Sequence, residues 1–247
     1  MIRRIGISLL SVISTTLFVI PAAPAAAAGP DPVIIVNGTF GPAFFYEPLA
    51  ARLRHDGYRV SIFELPNLGT GDIAATARAL DAFADRVRAQ TGAARVDLVA
   101  HSQGGLVARQ YVKFLGGSSE VDSLVSMAAP HYGTVIANLA AFFGLGNCLG
   151  IVACNQMAAG SAFLNNLNAG DDTIGAVRYT NLYTVLDELV RPIDNATLRD
   201  GATNVLIQSR CPLRVVDHIG LPLDGTTYTG ITDALRGAPI TLNCFAI

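Results

Sequence analysis

The run Arg95-Val96-Asp97-Leu98-Val99-Ala100-His101-Ser102-Gln103-Gly104-Gly105-Leu106 decides the fold. Residues 96–100 form an apolar run rich in β-branched types and broken only by Asp97, which reads as a strand. From Leu106 the pattern becomes helical, with Leu106, Val107, Gln110, Tyr111 and Phe114 at helical spacing, so residues 95–115 predict strand, tight turn and helix with Ser102 at the point of the turn. Such an elbow forces the serine into a strained backbone conformation and lifts its side chain above the sheet. The residues two before and two after it must be small because strand and helix nearly touch there, and they are Ala100 and Gly104. A serine that merely caps a helix gives a similar short string, so the reading depends on partners elsewhere in the chain.

The rest of the chain limits what those partners serve. It has 247 residues, 51% hydrophobic and 15% charged, with a net charge near −2. A single large core is expected, and no basic surface for nucleic acid. Residues 1–28 read as a signal peptide, with Arg3 and Arg4, then an apolar run, then a tail of small residues offering Ala-Xaa-Ala cleavage sites. A membrane anchor is the alternative, but the run is short for a span. The mature protein is therefore expected to be secreted, soluble and monomeric, with one catalytic domain over residues 29–247. An exported chain can carry disulfides, and four cysteines are present. The sequence-local pairing is Cys148 with Cys154 and Cys211 with Cys244. Metal binding is the rival, weakened because no CxxC pair and no nearby histidine accompanies them.

Residues 32–36 form a buried strand that runs into Asn37-Gly38-Thr39-Phe40-Gly41-Pro42. A glycine-bearing loop at a strand end can aim backbone N–H groups at a developing anion, although an ordinary turn looks the same. A helix over residues 47–55, a strand over 58–63 and a long helix ending at Gly92 precede the elbow strand. Another strand covers residues 121–128. Strand and helix alternating at this spacing argue for a mostly parallel central sheet with helices on both faces. Residues 139–157 are apolar and glycine-rich without clean periodicity. They read either as a hydrophobic wall or short flap for an acyl chain, or as packed core helices. Further strands cover residues 177–184 and 204–208.

On such a sheet a serine elbow is followed in chain order by an acid and then a histidine. Of four histidines, only His218 lies late in the chain, beyond the last strand; His101 adjoins Ser102 with its side chain on the wrong side. The acid should follow a strand end between the two, which selects Asp187. Glu188 is the nearest competitor and should point away if the backbone is extended there. Asp194 and Asp200 lie past Pro192, and Asp217 is too close to His218. Ser102 is thus the expected nucleophile, His218 the base and Asp187 the group that holds the base. The oxyanion that forms needs two donors: the backbone N–H of Gln103, and Thr39 in the first loop.

Together these blocks resemble the secreted bacterial lipases and esterases of the α/β-hydrolase superfamily known as class 2 lipases, typical of actinobacteria, and more distantly the fungal lipase B type. The resemblance rests on Val36-Asn37-Gly38-Thr39, on residues 100–105, on Ala129-Pro130-His131-Tyr132-Gly133-Thr134, on residues 184–192 and on Asp217-His218. The chain departs from the pattern in having Ala100 in place of glycine, and Asn37 where some relatives have histidine. The resemblance implies an α/β-hydrolase fold, cleavage of fatty-acyl esters, possession of the Ser102, Asp187 and His218 triad with a Thr39 and Gln103 oxyanion hole, and a lipid–water interface as the place of action. It implies no metal and no cofactor. A polyester or cutin-type hydrolase and an acyltransferase share the same triad, and a catalytically idle binding protein shares the fold.

Overall fold

The computed structural model describes residues 29–135, 148 and 151–247. Six strands form one parallel sheet: β1 (Val33–Val36), β2 (Val60–Phe63), β3 (Val96–His101), β4 (Val121–Met127), β5 (Arg178–Tyr183) and β6 (Thr203–Leu206), in the order β2-β1-β3-β4-β5-β6. The order reverses beside β1 and β3, and this is where an open α/β sheet leaves a crevice at its carboxyl ends. The Asn37–Gly41 loop and Ser102 both emerge there. The fold class expected from the alternating pattern is the one observed.

β1 and β3 are buried throughout, and their residues divide between two cores by the two-residue period of a strand. Ile34, Val36, Leu98 and Ala100 pack with α2 (Ile73–Thr91) and α3 (Gln103–Phe114), through Ile73, Leu80, Leu106 and Tyr111. Val33, Ile35 and Val99 pack on the other face, with Tyr46, Leu49 and Leu53 of α1 (Ala43–His55) and with Ile231 and Leu235 of the helix Gly225–Leu235. A helix stop at Gly92 is found as expected: Gly92 adopts φ 70°, and its N–H bonds Arg88 O.

Boundaries differ in informative ways. α1 begins at Ala43, a turn earlier than its apolar spacing indicates, because Glu64 Oε2 accepts the Ala43 N–H at 2.7 Å and supplies the missing start. The strand expected over 204–208 ends at Leu206 and turns into a short helix, Ile207–Arg210. The helix Gly225–Leu235 has no counterpart in the sequence reading. Its sequence GTTYTGITDAL carries few good helix formers, and it stands by an Asp224 cap and by packing.

Cys148 bonds Cys154 and Cys211 bonds Cys244, the sequence-local pairing. The expected signal peptide and residues 139–147, 149 and 150 of the apolar segment lie outside the described residues. Among those described, no helix is long and apolar enough to cross a membrane.

Candidate active site

β3 delivers Ser102 to the edge of the crevice at φ 54° and ψ −127°, a conformation that costs about 1–3 kcal/mol for a non-glycine residue. Its N–H is held by Met127 O at 2.8 Å, so the neighbouring strand supports the strain. The need for a small residue at 104 is steric: a Cβ on Gly104 would lie 2.5 Å from Val36 O. Gly105 is equally constrained, with a Cβ position 2.4 Å from that of Ala129.

Above the elbow, His218 Nε2 lies 2.9 Å from Ser102 Oγ, and His218 Nδ1 lies 2.9 and 3.1 Å from the two oxygens of Asp187. A carboxylate accepts, so the imidazole proton sits on Nδ1 and Nε2 faces the serine with its lone pair. Asp187 is fixed by the loop that carries it: its Oδ1 accepts the N–H groups of Val190 at 2.7 Å and Leu189 at 2.9 Å. Both Asp187 and His218 are buried. The three residues selected from chain order thus come together.

The acid and base loops are stapled to each other. Thr184 Oγ donates to Val216 O at 2.8 Å and accepts from Gln208 Nε2 at 2.9 Å, while the same amide donates to Arg214 O at 3.0 Å. Glu188 departs from expectation. It does not point away, because the backbone turns after β5; its Oε2 accepts the backbone N–H of His218 at 3.2 Å. Asp217 closes its own turn on Gly220 N, and Asp200 binds the N–H of Asp172.

The first loop lies flush against the serine. A Cβ on Gly38 would sit 3.1 Å from Ser102 Cβ and from His101 Nδ1, so any larger residue would have to press Ser102 or His101 aside by a few tenths of an ångström. Thr39 Oγ donates to Gln103 Oε1 at 2.5 Å, which brings the two expected anion donors side by side. Among the described residues nothing accepts from the backbone N–H of Thr39 or of Gln103, so both remain available. Gln103 Nε2 is buried and has no partner among the described residues. Reversing that amide would place Nε2 as donor to Thr39 Oγ and release the threonine proton toward the site. Asn37 braces the loop from inside through Nδ2 to Gly41 O at 2.9 Å.

A narrow recess of about 20 Å³ opens beside the serine, lined by Thr39, Ser102, Pro130, Thr134, Met157, Leu189, Val190 and His218. Its wall is mostly apolar, as an acyl group requires. Met157 brings the described end of the 139–157 segment to this wall. A larger surface hollow, lined by Leu213, Val215 and Phe245 among others, contains no nucleophile or base. Thr134 went unassigned in the sequence. Its Oγ donates to Leu189 O at 2.6 Å and accepts from Arg191 N at 2.9 Å, fixing the far wall, yet threonine after Gly133 gives no pattern that would reveal it. His131 lies behind the site, bonded through Nε2 to Asn181 Oδ1 at 2.9 Å; burial first, and then Arg109, hold its pKa down at about 3, so it is neutral.

Comparisons with known proteins bear on the family and the fold. A model of the family described as lipase (class 2) matches residues 30–220. Lipase B of Pseudozyma antarctica is 30% identical over 228 residues, covering 87% of this chain and 64% of that protein, so the chain spans under two thirds of that relative's length. The crystal structure of Aspergillus fumigatus lipase B matches with a TM-score of 0.71 at 21% identity, over 86% of this chain and 54% of that one. The mature form of Bacillus licheniformis lipase BlEst2 gives 0.69 at 18% identity, over 86% and 94% of the two chains. These structural likenesses place the sheet in the α/β-hydrolase fold.

Proposed function

The chain belongs to the class 2 lipase family, and from that premise we propose that it hydrolyses fatty-acyl esters through an acyl-enzyme on Ser102. The observation that carries the reading is the unbroken row from Ser102 Oγ through His218 to Asp187, each link at about hydrogen-bond length: 2.9 Å and 2.9 Å. Ser102 Oγ attacks the ester carbonyl carbon as its proton passes to His218 Nε2. The carbonyl electrons move onto oxygen, and the backbone N–H groups of Thr39 and Gln103 receive that charge. Collapse of the tetrahedral intermediate breaks the bond to the alcohol, which leaves with the proton from Nε2. Water then repeats the sequence on the acyl-enzyme and frees the acid.

Asp187 keeps the proton of the resting imidazole on Nδ1 and faces the imidazolium that forms at each step. The apolar cavity beside Ser102 supports an acyl substrate over a polar one. Export fits the same reading, since two disulfides suit an oxidising compartment. N-terminal sequencing of protein from the culture medium should begin near Gly29; an intact Met1 would contradict export by cleavage.

Hydrolysis of p-nitrophenyl esters from acetyl to palmitoyl tests the activity, with Ser102→Ala as control. Turnover that peaks at medium or long chains and disappears in the variant is the expected result. Turnover retained by Ser102→Ala would overturn the mechanism, and a peak at acetyl would contradict the fatty-acyl assignment.

A further inference from the structure

Two buried residues outside the row above join its two sides. The N–H of Gly38 donates to Tyr46 Oη at 2.8 Å, Tyr46 Oη lies 2.8 Å from His101 Nδ1, and His101 Nε2 lies 3.0 Å from the backbone oxygen of His218. We propose that Tyr46 and His101 are positioning residues, a hydrogen-bonded relay that sets the oxyanion loop and the base loop in register across Ser102. The proposal rests on the hydrolase reading of the site.

The direction of every bond in the relay follows from chemistry. A carbonyl oxygen only accepts, so His101 Nε2 carries the proton. The neutral ring then has a bare Nδ1, which accepts the Tyr46 proton. Tyr46 Oη, having donated, takes the Gly38 N–H on a lone pair. For a neutral ring no alternative set of roles satisfies all three contacts, so the uncharged relay has one protonation pattern. Water does not compete, because Tyr46 is 1% exposed, His101 3% and His218 1%.

Each end acts on a reacting group. At one end, Gly38 spends its N–H on Tyr46, so the first loop's free donor is the next amide, that of Thr39. The loop is seated by that bond with Gly38 packed directly on Ser102. At the other end, the peptide groups flanking His218 are held on both sides: Glu188 accepts its N–H and His101 donates to its C=O. With Asp187 on Nδ1, the ring has no slack in its 2.9 Å approach to Ser102 Oγ. His101 and Ser102 are consecutive, so the elbow that raises the serine also drives the preceding side chain into the space between the two loops.

The relay must stay uncharged. The His101 and His218 rings are 5.1 Å apart between centroids, and His218 becomes a cation each time it takes the serine proton. A second cation at that distance would oppose the step. Burial first, and then the His218 charge, push the His101 pKa down to about 3, and burial raises that of Tyr46, so neither titrates during turnover at neutral pH.

The test uses the full chain carrying Tyr46→Phe, His101→Gln, His101→Leu, and the Tyr46→Phe/His101→Leu double substitution. Active sites are counted by organophosphonate titration, so misfolded protein does not enter the rate. For Tyr46→Phe, which keeps the ring and its packing, kcat on p-nitrophenyl butyrate should fall roughly ten- to a hundredfold, less than the loss of an oxyanion donor itself. KM should stay within about twofold, since the relay places groups that act in the transition state. Affinity for a trifluoromethyl ketone, which forms a tetrahedral adduct on a serine, should fall by the same factor as kcat. His101→Gln, whose amide can still donate to His218 O, should retain more activity than His101→Leu. The double variant should be no slower than the slower of its singles. A Tyr46→Phe enzyme with wild-type kcat and ketone affinity would overturn the relay, as would single effects that multiply in the double variant. Absence of wild-type turnover and labelling would instead remove the hydrolase reading, and the relay with it.

Discussion

Asp187 and Glu188 are neighbours in the chain and hold the same histidine at different atoms, and this separates their expected contributions. Asp187 bonds the ring at Nδ1, so Asp187→Asn should place the wrong tautomer at Ser102 and lower kcat by about 10⁴-fold. Glu188 bonds only the backbone N–H, and an amide oxygen can replace its carboxylate. Steady-state kinetics of Glu188→Gln should therefore lie within a few-fold of wild type; the reverse pattern would move the acid by one residue. Thr39→Val tests whether the threonine hydroxyl, and not only its backbone, serves the oxyanion. With Gln103 Nε2 as the donor to Thr39 Oγ, kcat should fall roughly a hundredfold. A loss below threefold would mean that the hydroxyl only braces Gln103. At this scale Ser102, Asp187 and His218 were legible because histidines are few and chain order constrains the rest. Tyr46 was not, because a tyrosine among Phe44, Phe45 and Leu49 reads as core until its hydroxyl is seen to meet Gly38 and His101.

The element that carries His218 is an irregular loop, and its ends are fixed by side chains and a crosslink. Cys211 lies where the loop leaves the short helix Ile207–Arg210 and bonds Cys244, 33 residues on. Closing a loop of that length stabilises by about 3–4 kcal/mol in the chain-entropy account. Cys211→Ala/Cys244→Ala should lose stability of that order in urea unfolding, and Cys148→Ala/Cys154→Ala less, because its loop spans only six residues. Equal losses would show that contacts around the bonds, and not loop length, set the effect. Helices with a clear apolar face and a glycine stop, such as α2, could be read directly. The helix Gly225–Leu235 could not, because its buried Thr226, Thr227 and Gly230 look polar or flexible in sequence; Thr226 is bonded to Asn243 O and Gly230 packs against Leu182 and Leu242.

Across the whole molecule, the parallel sheet was legible from the alternation of strand and helix, since strands buried on both faces read as unbroken apolar runs. Asp97 interrupts one of those runs. It lies inside β3 with Oδ1 unpartnered among the described residues, and desolvation, reinforced by Asp122 and Asp31, raises its pKa to about 8. A carboxyl whose folded pKa lies above the unfolded value of 3.8 contributes stability that is complete below that value and lost as pH rises toward 8. Asp97→Asn should remove this slope. Its unfolding free energy relative to wild type should grow between pH 5 and pH 8 and level off above. A gain independent of pH would place the cause in packing and not in charge.

Mass mapping after reaction with an organophosphonate addresses the central claim most directly. One adduct on Ser102, formed in step with the loss of ester hydrolysis and absent from both Ser102→Ala and unfolded protein, is the predicted result. Stoichiometric inactivation with the adduct on another residue, or continued hydrolysis with Ser102 fully modified, would contradict it.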